Sequence, residues 1–195
     1  MSRRDLWLVA PYVAWMVLMA VLPGTALCYA VRGAVTALLL VISLAKSDAL
    51  GDERFFSGAV WGSGFVAGVA VFAIWIAPEV LFGTGGAVEA GTSAYSPATC
   101  GWPLTVAKLA ASAFVIPAAE ELFFRKWLVD FAGFWWMVAL FAVEHGERWH
   151  VGAVAGIVYG VLASRFGIKS AIIAHSVTNL VLGLYVVIFD RWAFW

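Results

Sequence analysis

Two adjacent carboxylates, Glu120 and Glu121, interrupt the apolar stretch "VIPAAEELFFRKWL", and Arg125 follows Glu121 by four residues. Ionisable side chains at membrane depth are costly and usually functional. A carboxylate at i and a cation at i+4 share a helical face, so Glu121 and Arg125 can neutralise each other. Glu120 points about 100° away around a helix of 3.6 residues per turn, so it is left without that partner. A spare carboxylate in a membrane helix is a functional candidate, suited to acid/base work with a titratable partner.

The chain has three histidines, His145, His150 and His175. A turn near Phe131–Gly133 puts Glu120 about twelve residues, roughly 18 Å, before it and His145 about thirteen residues, roughly 20 Å, after it. An antiparallel hairpin therefore brings Glu120 and His145 to one depth, where they can form an acid/base pair. The alternative for His145 is an interfacial ring bonded to a carbonyl. His175 and Asn179 lie four residues apart and share a face. Imidazole and carboxamide can together donate to a developing oxyanion, or they can form interhelical hydrogen bonds that hold a bundle together. His150, Glu144 and Glu147 read as solvated or interfacial. Glutamate and histidine also ligate zinc, but no H-E-x-x-H pattern is present. The expectation is a site without a metal or other cofactor, with zinc as the minor alternative.

Helices must position these groups. The chain of 195 residues is 64% hydrophobic and 12% charged, against about 25% charged in soluble domains. This composition indicates an integral membrane protein. A net formal charge of zero gives no reason to expect a nucleic-acid partner. Trp and Tyr suit interfacial anchoring. With about 20 apolar residues per span, the candidate spans are Leu6–Leu22, Leu27–Leu44, Gly58–Ala77, Leu104–Val129, Phe134–His145, Val151–Phe166 and Ser170–Phe189. The expected fold is all-α, a polytopic transmembrane helix bundle of about seven spans (six to eight). It forms one membrane domain over residues 1–195, the first helix is retained, and a break is possible before Pro11. The stretch from Pro78 to Pro103 reads as an exposed loop. Glycines at 58, 62, 64 and 68 have the spacing of close helix packing. Arg32 is placed to snorkel or to meet a carboxylate. Cys28 and Cys100 are expected to be free thiols.

The positive-inside rule puts Arg3, Arg4, Lys46, Arg54, Arg125, Lys126, Arg165 and Lys169 on the cytoplasmic side, with the N-terminus. Arg148 and Arg191 are then outer minorities. Glu120 lies about six residues, roughly 9 Å, from Lys126, and His175 lies as far from Lys169. The site is therefore expected in the inner half, entered from the cytoplasm.

Taken together, Glu120-Glu121-x-x-x-Arg125, Phe141-x-x-x-His145 and His175-x-x-x-Asn179, in this order on separate membrane helices, resemble the CPBP family of CAAX proteases and bacteriocin-processing (Abi) enzymes. The family-like region is 104–195. "EHGERWHVGAVAGIVYG" and the C-terminal "HSVTNLVLGLYVVIFDRWAFW" look like the CAAX-protease-related proteins of bacteria with exosortase/PEP-CTERM sorting systems. The resemblance implies a glutamate-dependent intramembrane endopeptidase. In it Glu120 with His145 activates water, His175 and Asn179 stabilise the oxyanion, and Glu121 and Arg125 belong to the supporting motif. It further implies a membrane-anchored or C-terminal-tail peptide substrate in the bilayer of a bacterial inner membrane, and a functional link to an exosortase system. The competing classes are a proton-coupled transporter and a non-catalytic scaffold or immunity protein. A transporter of that kind is expected to show duplicated halves, and no duplication is visible in the sequence.

Overall fold

A computed structural model describes residues 2–51, 57–83 and 93–195. Helices α1 (Arg3–Val21), α2 (Ala26–Ser47) and α3 (Gly58–Phe82) are followed by a short α4 (Pro97–Cys100). Helix α5 runs unbroken over Trp102–Ala132. Helices α6 (Phe134–Glu144), α7 (Trp149–Phe166) and α8 (Ile168–Phe189) complete the bundle. No strand occurs among the described residues, so the fold is the expected all-α bundle.

Of these helices, α1, α2, α3, α5 and α8 are long and apolar enough to cross a membrane, while α6 is apolar but short. Helix α7 has 18 residues, and its window carries His150 and Arg165. Large apolar side chains crowd the outside: Phe65, Val66, Leu38 and Leu27 are more than half exposed. That distribution fits lipid as the outer solvent.

Local chemistry sets the helix ends. Ser2 and Asp5 form a reciprocal capping box on α1, and Thr25 caps α2. Gly133 and Gly167 have φ values of 89° and 86°, which side-chain-bearing residues seldom adopt, and there the chain reverses between α5 and α6 and between α7 and α8.

Several expectations change here. Helix α1 continues through Pro11, and α3 continues through Pro78 to Phe82, so the start of the expected loop is helical. Arg54 and much of the rest of that loop lie outside the described residues. Among the described residues, Arg32 meets no carboxylate. It is 3% exposed, and its Nη2 donates to the carbonyls of Leu22 and Pro23, which the end of α1 leaves open. Ser43 ties α2 to α1 by donating to the Trp7 carbonyl. Arg148 and Arg191 both approach Glu79, at 3.9 and 4.0 Å, so these minority cations share a carboxylate at the end of α3. Cys28 and Cys100 are free thiols.

The glycine pattern divides in two. A Cβ at Gly68 would stand 2.5 Å from the Ala174 carbonyl oxygen, and one at Gly64 would stand 2.9 Å from that of Ser170. Helix α3 therefore packs backbone-close on α8. Gly58 and Gly62 have nothing within 4 Å and take no part in this contact.

Candidate active site

Helix α5 carries the two glutamates, and its backbone is unusual on both sides of them. Ala111–Val115 and Leu122–Leu128 are π-helical, a geometry that often marks functional sites. Pro117 explains the first segment's link to α8. Within it, the Ile116 N–H bonds the Ala111 carbonyl, five residues back. The next donor in that register would be residue 117, which as proline has no N–H. The carbonyl it would have served belongs to Ser112, and Asn179 Nδ2 donates to that oxygen at 2.9 Å. A lost backbone bond on α5 thus fixes the carboxamide of α8. Asn179 keeps a second amide hydrogen for other use.

Glu121 is fully buried. Its Oε1 lies 3.1 Å from Arg125 Nη1 and 2.9 Å from His175 Nδ1. The i, i+4 pairing read from the sequence is present, and histidine joins it. A carboxylate only accepts, so His175 donates from Nδ1, which turns Nε2 towards Glu120. That nitrogen stands 3.7 Å from Glu120 Oε2, just beyond a hydrogen bond. The Arg125 guanidinium also lies 4.1 Å from the Phe141 ring centroid, so the arginine of the first motif packs on the phenylalanine of the second. Tyr159 stacks on His175 at 4.8 Å, and its hydroxyl donates to Thr178 at 2.7 Å.

His145 ends α6. Its Nδ1 bonds the Phe141 carbonyl at 2.6 Å, leaving Nε2 unengaged. Gly152 makes room for this ring, since a Cβ there would lie 3.1 Å from it.

The expected Glu120–His145 pair is not formed directly. No hydrogen bond or ion pair joins them among the described residues, and the histidine beside Glu120 is His175. His145, His175 and Asn179 do converge, on a cavity of about 200 Å³ that is also lined by Ser112, Tyr159 and Lys108. The cavity runs towards Trp75, Phe194 and Trp195. These residues lie at the end of the bundle away from Lys126, Arg165 and Lys169. A second cavity, of about 260 Å³ and lined by Arg4, Lys126 and Asp130, occupies the basic end and contains no histidine.

Three further residues belong to the site. Glu144 is half-buried: its Oε2 is shielded from solvent, and its carboxylate lies near Tyr12 of α1 and Glu120. Tyr159 and Pro117 act on His175 and Asn179 as described above. The proline stands in plain view three residues before Glu120, but its partner comes from a distant helix. His150 and Glu147 are exposed, as expected. Among the described residues, no group of three or more His, Cys, Asp or Glu side chains is arranged to hold a metal ion.

Residues 102–181 match the family model for type II CAAX prenyl endopeptidase Rce1-like proteins. This part of the chain is therefore similar to the CAAX-protease family. The match runs through all three motifs, from α5 to the middle of α8, and covers less than half of the chain. No curated protein and no solved structure matches it. The likeness supports a peptide hydrolase of the CAAX type.

Proposed function

We propose that the chain is an intramembrane endopeptidase of the glutamate type. The observation that carries this reading is the convergence of His145, His175 and Asn179 on one cavity, with Glu120 at 3.7 Å from His175. Glu120 takes a proton from water while the water oxygen bonds the scissile carbonyl carbon. The carbonyl oxygen becomes an oxyanion, stabilised by the free amide hydrogen of Asn179 and by His175 in its doubly protonated form, with Nδ1–H on Glu121 and Nε2–H towards the oxyanion. The C–N bond then breaks, and Glu120 returns the proton to the leaving amine. His145, held at Nδ1 by Phe141, presents Nε2 to the same cavity and helps orient the water. Arg125 and Glu121 act one step back by holding His175. In this scheme the protein's own carboxylate activates the water, and no metal takes part.

The substrate is the extended tail of a membrane-anchored peptide, because a helical scissile bond has its carbonyl already bonded and shielded. The protein resides in a bacterial inner membrane with a cytoplasmic N-terminus, and a link to an exosortase system follows the sequence likeness. In that orientation the cavity opens on the outer side. The test is intact-mass analysis of lipid-anchored peptides incubated with the purified protein in proteoliposomes, with and without EDTA. A single cleavage that adds one water and survives EDTA supports the reading. No cleavage of any anchored peptide, or activity abolished by EDTA and restored by zinc, overturns it.

A further inference from the structure

Lys108 lies in a membrane-spanning helix, is only 6% exposed, and takes no part in the mechanism above. Its Nζ sits 4.1 Å from the ring centroid of Tyr29 and 4.6 Å from those of Tyr95 and Trp195. Three aromatic faces surround the Lys108 ammonium at cation–π distance. They accept no conventional hydrogen bond, so the donors of the ammonium keep their capacity for an anion. Lys108 also lines the cavity that holds His145, His175 and Asn179. It precedes Ser112 by one helical turn, about 6 Å of rise, and Ser112 is where Asn179 is anchored. A substrate whose scissile carbonyl lies at Asn179 would pass residues within reach of Lys108 in the extended conformation, at roughly 3.3 Å each.

We infer that Lys108 is the specificity-determining residue of the cavity, binding a carboxylate carried by the peptide close to the cut. The inference rests on the protease reading for the direction of the peptide, but the binding it describes can be measured without turnover. Two carboxylates can supply the charge, the C-terminus of the peptide or an acidic side chain near it. The substrate chemistry thus narrows to tails bearing a negative charge next to the scissile bond.

The experiment uses three fluorescent anchored peptides: a free acid, its C-terminal amide, and a free acid with an acidic side chain added. Their binding to the full chain carrying Glu120→Gln, with and without Lys108→Met or Lys108→Arg, is read by anisotropy in proteoliposomes. A charge-assisted hydrogen bond contributes about 1.5–3 kcal/mol, so the free acid is expected to bind at least about tenfold more tightly than the amide. Lys108→Met should bring that ratio close to one, and Lys108→Arg should restore most of it. A preference that follows the acidic side chain instead of the terminus assigns the second source to the same site. Equal binding of all three peptides, no binding at all, or a preference that survives Lys108→Met overturns the proposal. Cleavage without any charge preference removes this inference and leaves the protease reading standing. Charge-selective binding without cleavage does the reverse.

Discussion

His175 Nδ1 lies 2.9 Å from Oε1 of Glu121, the same oxygen that faces Arg125 Nη1 at 3.1 Å. One buried carboxylate thus serves a guanidinium from its own helix and an imidazole from another. The second glutamate of the pair orients the histidine that stands beside the first.

Removing either partner of a buried ion pair costs about 3–5 kcal/mol because the other charge stays buried. Arg125→Ala should therefore lower detergent melting temperature and yield together. The double change Glu121→Gln, Arg125→Met should recover much of the stability and little of the activity, because His175 has lost its anchor. Full thermal stability of Arg125→Ala would show that the pair has no structural role.

Asn179 and Pro117 should be coupled through the Ser112 carbonyl. Loss of an oxyanion-hole donor costs about 10²–10³ in turnover, and that is the expectation for Asn179→Leu, together with a lower melting temperature. Adding Pro117→Ala supplies the missing N–H to Ser112, so the double variant should melt higher than Asn179→Leu alone and remain inactive. Purely additive melting shifts in this double-mutant cycle would break the proposed link.

The α3–α8 contact separates glycines that look alike in the sequence. Gly68→Ala forces a Cβ against the Ala174 carbonyl, next to His175. It should cost about 1–3 kcal/mol, as overpacking does. Gly62→Ala meets open space and should be neutral in the same melts. Equal effects at the two positions would contradict the packing described.

How far the sequence could be read varies by residue. Spans were legible because an apolar run of given length has few alternatives in a bilayer, and Glu121–Arg125 because both lie on one helix. Depth was legible and azimuth was not. Counting along the hairpin brought His145 level with Glu120, but the place beside Glu120 went to His175, from a helix that no local count can rotate into position. Glu144 read as solvated or interfacial because it lies near a loop, and its closeness to Tyr12 was not legible because Tyr12 arrives from α1, more than a hundred residues earlier. Lys108 is a cation near the start of an apolar span, a signal in the sequence whose partners, Tyr29, Tyr95 and Trp195, come from elsewhere in the chain.

The cavity's direction has its own test. With Cys28 and Cys100 replaced, Leu182→Cys, on the cavity wall, should react with a membrane-impermeant thiol reagent added outside intact cells. A cysteine at Ser164, in the basic-end cavity, should not. The reverse pattern would invert the orientation.

The most direct measurement compares turnover of a cleavable anchored peptide by the wild type and by Glu120→Gln. The amide is nearly isosteric with the carboxylate and cannot accept the water's proton. Turnover should fall by roughly 10²–10⁴-fold, the scale of general-base catalysis, with melting temperature close to that of the wild type. Turnover within a few-fold of wild type in a folded Glu120→Gln protein would contradict the assignment of Glu120 as the base.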